Sequence, residues 1–216
     1  MRKLRWKIAQ STEIRWWQRY LKRKPKADYL QWKSAYWKTF LQRIGVKLKT
    51  GDKVLDAGCG PAGIFTILKD QQIDAVDPLL DQYEEKLDHF QKKNYPNVSF
   101  LSKSIEEFQT SKNYDKIFCL NAINHVDDLR VCLDKLVNSV GFGGQLVISI
   151  DAHNYQLFKY LFRLIPGDIL HPHQHDLKEY QRMFVERGVE ISKVILYKKQ
   201  FLFNYYVLVC TKKREN

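Results

Sequence analysis

Lys53-Val54-Leu55-Asp56-Ala57-Gly58-Cys59-Gly60-Pro61-Ala62-Gly63 is the stretch that decides the fold. Its first five residues make a short, mostly apolar run of strand length, and the glycines after it form a tight turn. Gly63 to Lys69 then reads as a helix. Outward from this unit the alternation repeats. Ile73–Val76 is a second strand, closed by Asp77-Pro78, and Asp81 to Lys92 is a helix whose acidic start and basic end suit its dipole. Val98–Leu101 and Lys116–Leu120 supply the third and fourth strands, and Asp128–Ser139 another helix. Gln145–Ile150 is a fifth strand, entered through Gly141-Phe142-Gly143-Gly144. Leu177–Arg187 is helical and capped by Gly188, and strands near Val189–Tyr197 and Phe203–Thr211 follow. Alternation on this scale predicts an α/β fold with a mostly parallel, doubly wound, seven-stranded sheet. The last two strands have no helix between them and should pair as an antiparallel C-terminal hairpin.

Residues 1–50 have another character. All five tryptophans (Trp6, Trp16, Trp17, Trp32 and Trp37) lie here among fifteen Lys and Arg, with Glu13 and Asp28 as the only acids. The net charge of +12 therefore belongs to this segment, and the rest is nearly neutral. From about Glu13 to Leu48 the pattern predicts two N-terminal helices, broken at Pro25. The expected organisation is a basic, Trp-rich helical segment over 1–50 and a catalytic domain over 51–216. The plainest role for the segment is a cap that packs its aromatics on the domain. Its charge also suits peripheral contact with an anionic membrane or an acidic substrate. Nucleic acid is the weaker partner, since no RNA-binding module is recognisable. No run approaches the roughly 18 apolar residues of a membrane span, and no signal peptide is evident. Cys59, Cys119, Cys132 and Cys210 are scattered without metal-ligand spacing, which points to a reduced, cytoplasmic setting.

The glycine turn sits where an open α/β sheet binds its ligand, at the carboxyl end of a strand. Gly58 and Gly60 let a ligand approach the backbone closely. Asp77 ends the next strand, where a carboxylate can accept both hydrogen bonds of a ribose diol. A nucleoside-bearing cofactor follows. Gly58, Gly60 and Gly63 also satisfy the dinucleotide pattern, but Asp56 would then stand close to anionic phosphates. A cofactor with an ammonium and a sulfonium gains from that carboxylate instead.

Val54 to Gly63, with Asp77 and the run Tyr114 to Val126, resembles class I S-adenosylmethionine-dependent methyltransferases of small-molecule type. The likeness covers roughly residues 50–211. It implies a Rossmann-like fold and S-adenosyl-L-methionine as cofactor. It implies that Asp56, Gly58 and Gly60 hold the amino-acid moiety and that Asp77, with Pro78, holds the ribose. Ser104 and Ile105 would flank the adenine, and Leu120 and Asn121 would lie under the methionine portion. Many relatives carry an acid where Ser104 stands, and a serine there offers a weaker contact.

On the substrate side, residues 151–176 form an insertion that overhangs the crevice as a lid. A hydroxyl acceptor needs a base near neutral pH, and histidine suits that work. His125, His153 and His173 are the catalytic candidates, from a pool that includes His171 and His175. No Cys or Asp cluster joins them, so no metal site is expected. The expected activity is methyl transfer to oxygen or nitrogen of a small organic acceptor, a lipid-like one included. The rivals are an RNA or protein methyltransferase docking through residues 1–50, a nicotinamide-dependent oxidoreductase and a catalytically silent nucleoside-binding protein.

Overall fold

The computed structural model describes residues 2–154, 175–201 and 203–213, with side chains in the first helix from Gln10 onward. Helices α1 (Arg2–Leu21) and α2 (Lys26–Ile44) precede β1 (Lys53–Ala57), β2 (Gln72–Val76), α3 (Leu80–Lys86), β3 (Val98–Leu101) and β4 (Tyr114–Cys119). Then come α4 (Leu129–Ser139), β5 (Val140–His153), α5 (Leu177–Val185), β6 (Val189–Lys198) and β7 (Phe203–Lys212). Among the described residues the strands form one seven-stranded sheet of order β3-β2-β1-β4-β5-β7-β6. β1 to β5 pair in parallel, while β7 is antiparallel to both β5 and β6. The strand order reverses between β1 and β4, the place where such sheets open a crevice for a ligand.

Alternation along the strands divides the core. Val54, Phe118, Val147, Val207 and Val209 share one cluster with Ile14 and Leu21 of α1, Tyr29, Trp37, Phe40 and Ile44 of α2, and Tyr83 in the middle of α3. Leu55, Ile117, Cys119, Ile148, Leu208 and Cys210 share the other with Leu133 of α4 and Tyr180 and Phe184 of α5. The N-terminal helices are thus part of a continuous core. The end of α2 is also tied to β6. Lys193 Nζ donates to the Ile44 carbonyl at 3.0 Å, and the Arg43 guanidinium lies 4.2 Å from the Tyr197 ring centroid. Phe40 is fully buried and meets Tyr197 at 5.3 Å. Phe40→Ala should cost about 3–5 kcal/mol of stability in urea unfolding. A loss below about 1 kcal/mol would mean that α2 does not share this core.

Three local expectations change. The first helix begins at Arg2 rather than near Glu13. The stretch after the glycine turn is not an α-helix but two 3-10 turns, Gly60–Ala62 and Ile64–Ile67. Ile64, Thr66 and Ile67 are β-branched, and Asp56 Oδ2 takes the Phe65 N–H at 3.0 Å. The Thr66 hydroxyl further donates to the Gly63 carbonyl, and Trp37 of α2 donates its indole N–H to the Ala62 carbonyl at 3.0 Å. The helix over 81–92 ends at Lys86, because Glu84 accepts the Lys92 N–H and Lys92 pairs with Asp81, folding the segment back.

Candidate active site

β1 and β2 deliver two carboxylates to the same edge of the sheet, both almost fully buried: Asp56 is 3% and Asp77 7% exposed. Between them the glycine turn is held by Val76, whose carbonyl accepts the N–H of Gly58 at 2.7 Å and of Cys59 at 3.1 Å. Gly58 takes φ +70°, and a Cβ there would lie 2.2 Å from the Ala122 Cβ. Gly60 takes φ +58° and donates its N–H to Asp77 Oδ2 at 3.0 Å. The other oxygen, Oδ1, accepts the Leu79 N–H at 2.9 Å. Gly63 is required for a different reason, since a Cβ would stand 2.4 Å from Asp56 Oδ2.

Burial dominates the electrostatics. It pushes the Asp56 carboxyl up from 3.8 to about 7, against the backbone N–H groups of Phe65 and Ile64 and the Lys33 charge. Asp77 is also raised to about 7, by burial and then by the like charge of Glu13, against the N–H groups of Leu79 and Gly60. A carboxyl raised in the folded state supports the fold fully only below its unfolded value near 3.8 and withdraws that support as pH rises through about 7. Asp56→Asn keeps an acceptor for Phe65 and removes the buried charge. The ligand-free variant should therefore exceed the parent by roughly 1–3 kcal/mol at pH 8, and match it at pH 4. Equal stabilities at both pH values would show that Asp56 carries no buried charge.

The other expected site residues fall around this edge. Ser104 is buried and its Oγ accepts the Glu107 N–H. Ile105 is buried within 3.9 Å of the position a Gly58 Cβ would take. Pro78 is half-buried and Leu120 buried. Asn121 adopts φ +55°, and its N–H donates to Ser149 Oγ at 2.7 Å, joining the ends of β4 and β5.

Comparison with known proteins agrees with this fold. A family model described as a methyltransferase domain matches residues 29–194. The chain belongs to this methyltransferase family. The family is that of class I S-adenosylmethionine-dependent methyltransferases, which decides the nucleoside against a dinucleotide. The ubiquinone biosynthesis O-methyltransferase of Rickettsia felis is 28% identical over 153 residues, covering 66% of this chain and 62% of that protein. The chain thus spans less than two thirds of that relative's length. Among solved structures, the YcgJ protein of Bacillus subtilis superposes with a TM-score of 0.64 at 17% identity, covering 82% of this chain and 98% of that one. The N-methyltransferase NodS of Bradyrhizobium japonicum gives 0.62 at 15% identity, with 82% and 94% covered.

In this methyltransferase the candidate histidines fall at different places. His125 is exposed at the end of a 3-10 turn after β4. His153 is buried at the end of β5, where its N–H meets the His175 carbonyl at 3.1 Å and its ring lies 4.4 Å from that of Phe203. It lines a cavity of about 600 Å³ with Asn154, Leu177, Phe201, Asn204 and Tyr206. His171, His173 and most of the expected lid lie outside the described residues. Sequence reasoning missed three groups that α1 and α2 bring to the edge where Asp56 and Asp77 lie. Glu13 accepts the Tyr83 hydroxyl at 2.8 Å and acts electrostatically on Asp77. Trp37 holds the glycine turn through Ala62, and Lys33 acts electrostatically on Asp56. The one available signal was Glu13 itself, an acid in a segment that holds fifteen cations. Asn124 was missed as well. Its side chain exchanges hydrogen bonds with the Asp151 backbone at 3.2 Å and so fixes the end of β5.

Proposed function

We propose that this methyltransferase seats S-adenosylmethionine over Gly58 and Gly60 and methylates a hydroxyl of a small, lipid-like acceptor. The site's features fit the cofactor. At Gly60 a Cβ would meet nothing within 4 Å, which leaves the backbone there open to a ligand, and Asp77 offers carboxylate acceptors of the kind a ribose diol requires. In this reading Pro78 borders the ribose, Ser104 and Ile105 flank the adenine, and Leu120 and Asn121 underlie the methionine part beside Asp56. The cofactor supplies an electrophilic methyl on a sulfonium. The protein's part is to align the acceptor oxygen, exclude water and take up the hydroxyl proton.

The observation that carries the acceptor reading is His153, a buried histidine at the end of β5 that faces a cavity shared by aromatic and amide side chains. His153 takes the acceptor proton, and Phe201 and Tyr206 cover the ring or chain that bears it. The name of the Rickettsia felis relative supports oxygen as the acceptor atom. Residues 1–50 act as a cap over the cofactor edge. Trp16 and Trp32, each 52% exposed, with the exposed Arg15 and Arg19 beside Trp16, support contact with an anionic lipid surface where such an acceptor resides.

The test is to supply the enzyme with S-adenosylmethionine and a panel of small phenols and alcohols with and without an aliphatic tail, beside amines, RNA and a protein extract. Formation of S-adenosylhomocysteine and a methoxy product, favoured by the tail and lost in His153→Ala, is expected. Methylation confined to amines, RNA or protein would overturn the acceptor reading.

A further inference from the structure

Lys33 stands in the aromatic stripe of α2, on the same helix as the Trp37 that grips the glycine turn. Its ammonium lies 4.9 Å from the Trp37 ring centroid, 5.4 Å from Tyr36 and 5.8 Å from Trp32. The rings confine the charge and remove water from it. Burial lowers its pKa to about 8, opposed by the charge of Asp56. Asp56 is near enough to act on it, yet Lys33 forms no ion pair or side-chain hydrogen bond among the described residues. A covered ammonium without a paired anion is unfavourable, and aromatic faces only partly replace the lost water. Such a group fits a site that receives its counterion with the ligand.

We infer that Lys33 binds the α-carboxylate of the cofactor, delivered by α2 to the same end of the site where Asp56 meets the ammonium. This rests on the cofactor-site reading above. The amino-acid end of S-adenosylmethionine is a zwitterion, and Asp56 and Lys33 form a matching pair of opposite charges. Trp37 fixes the spacing. Its ring is one of those bordering the ammonium, and its N–H is bonded to the turn that the nucleoside would cover. The N-terminal segment would then be a component of the cofactor site as well as a cover for it.

Calorimetric titration of the full chain with S-adenosylhomocysteine and its decarboxylated analogue, which differ only in the carboxylate, tests this. The parent protein should prefer the carboxylate form by about tenfold to a hundredfold. Lys33→Met should weaken S-adenosylhomocysteine by a similar factor, leave the decarboxylated analogue unchanged, and so erase the preference. Lys33→Arg should restore most of it. Equal affinity of the parent for both ligands would overturn the inference, and so would equal loss of both ligands in Lys33→Met. Failure of the underlying site reading looks different, since Asp77→Ala would then leave both affinities intact. The parent comparison needs no variant, so a poorly folding Lys33→Met still leaves a decisive arm.

Discussion

Gly58→Ala is expected to cost the fold about 2–5 kcal/mol and to abolish nucleoside binding. Two separate penalties combine. The residue sits at φ +70°, where an L side chain costs roughly 1–2 kcal/mol. Its new Cβ would stand 2.2 Å from the Ala122 Cβ, an overlap relieved only by moving the turn from the β4 loop, at a further ~1–3 kcal/mol. That movement would carry Ile105 and the carbonyl of Val76 out of register with the turn. Gly60→Ala is the control. It has similar backbone strain, φ +58°, but its Cβ would meet nothing within 4 Å, so only about 1–2 kcal/mol should be lost. Urea unfolding of both variants decides. Indistinguishable midpoints for Gly58→Ala and Gly60→Ala would mean that the close approach to Ala122 does not exist in solution.

Asp77→Ala should weaken S-adenosylhomocysteine by one to two orders of magnitude while moving the ligand-free stability by no more than ~2 kcal/mol. The affinity estimate reflects loss of charged hydrogen bonds to a diol, roughly 1.5–3 kcal/mol. The fold is spared because opposing effects offset each other. Removing the carboxylate orphans the N–H groups of Gly60 and Leu79, but it also removes a buried charge that faces Glu13. With its carboxyl raised to about 7, Asp77 offers the full set of acceptors only above that pH. Ligand affinity of the parent should accordingly rise between pH 6 and pH 7.5, and Asp77→Ala should remove its own part of that rise, the part due to Asp56 remaining. A variant that binds as tightly as the parent would refute the ribose assignment.

The strands were legible because each is an apolar run bounded by turn residues, and β1 and β3 begin and end where that pattern places them. The glycine turn and the two carboxylates were legible for the same reason, since a ligand loop must follow its strand directly. The helix expected after Gly63 failed because a side chain nine residues upstream competes for the Phe65 N–H and α2 settles on the turn. Neither event leaves a local trace. Lys33, Trp37 and Glu13 were illegible as neighbours of the glycine turn and its carboxylates because only the tertiary fold brings residues 13–37 to a loop at 56–63. In sequence they look like any other members of a basic, aromatic stretch. The resemblance noted at the sequence level supplied the cofactor but could not have placed these helices.

The position of β7 between β5 and β6 has a consequence for how the molecule comes to exist. Its residues Val207 and Val209 share a core with Ile14 and Leu21, almost two hundred residues earlier. During synthesis α1 and α2 therefore emerge long before the strand that completes their cluster. The cap can reach its final position only once β7 has been inserted beside β5. Folding should be late and concerted, with high contact order and a slow final step, rather than a progressive assembly from the amino end. Until then the aromatic faces of Trp37 and Phe40 lack part of the cluster that buries them, and this unfinished stage is when the chain is most exposed to misassociation.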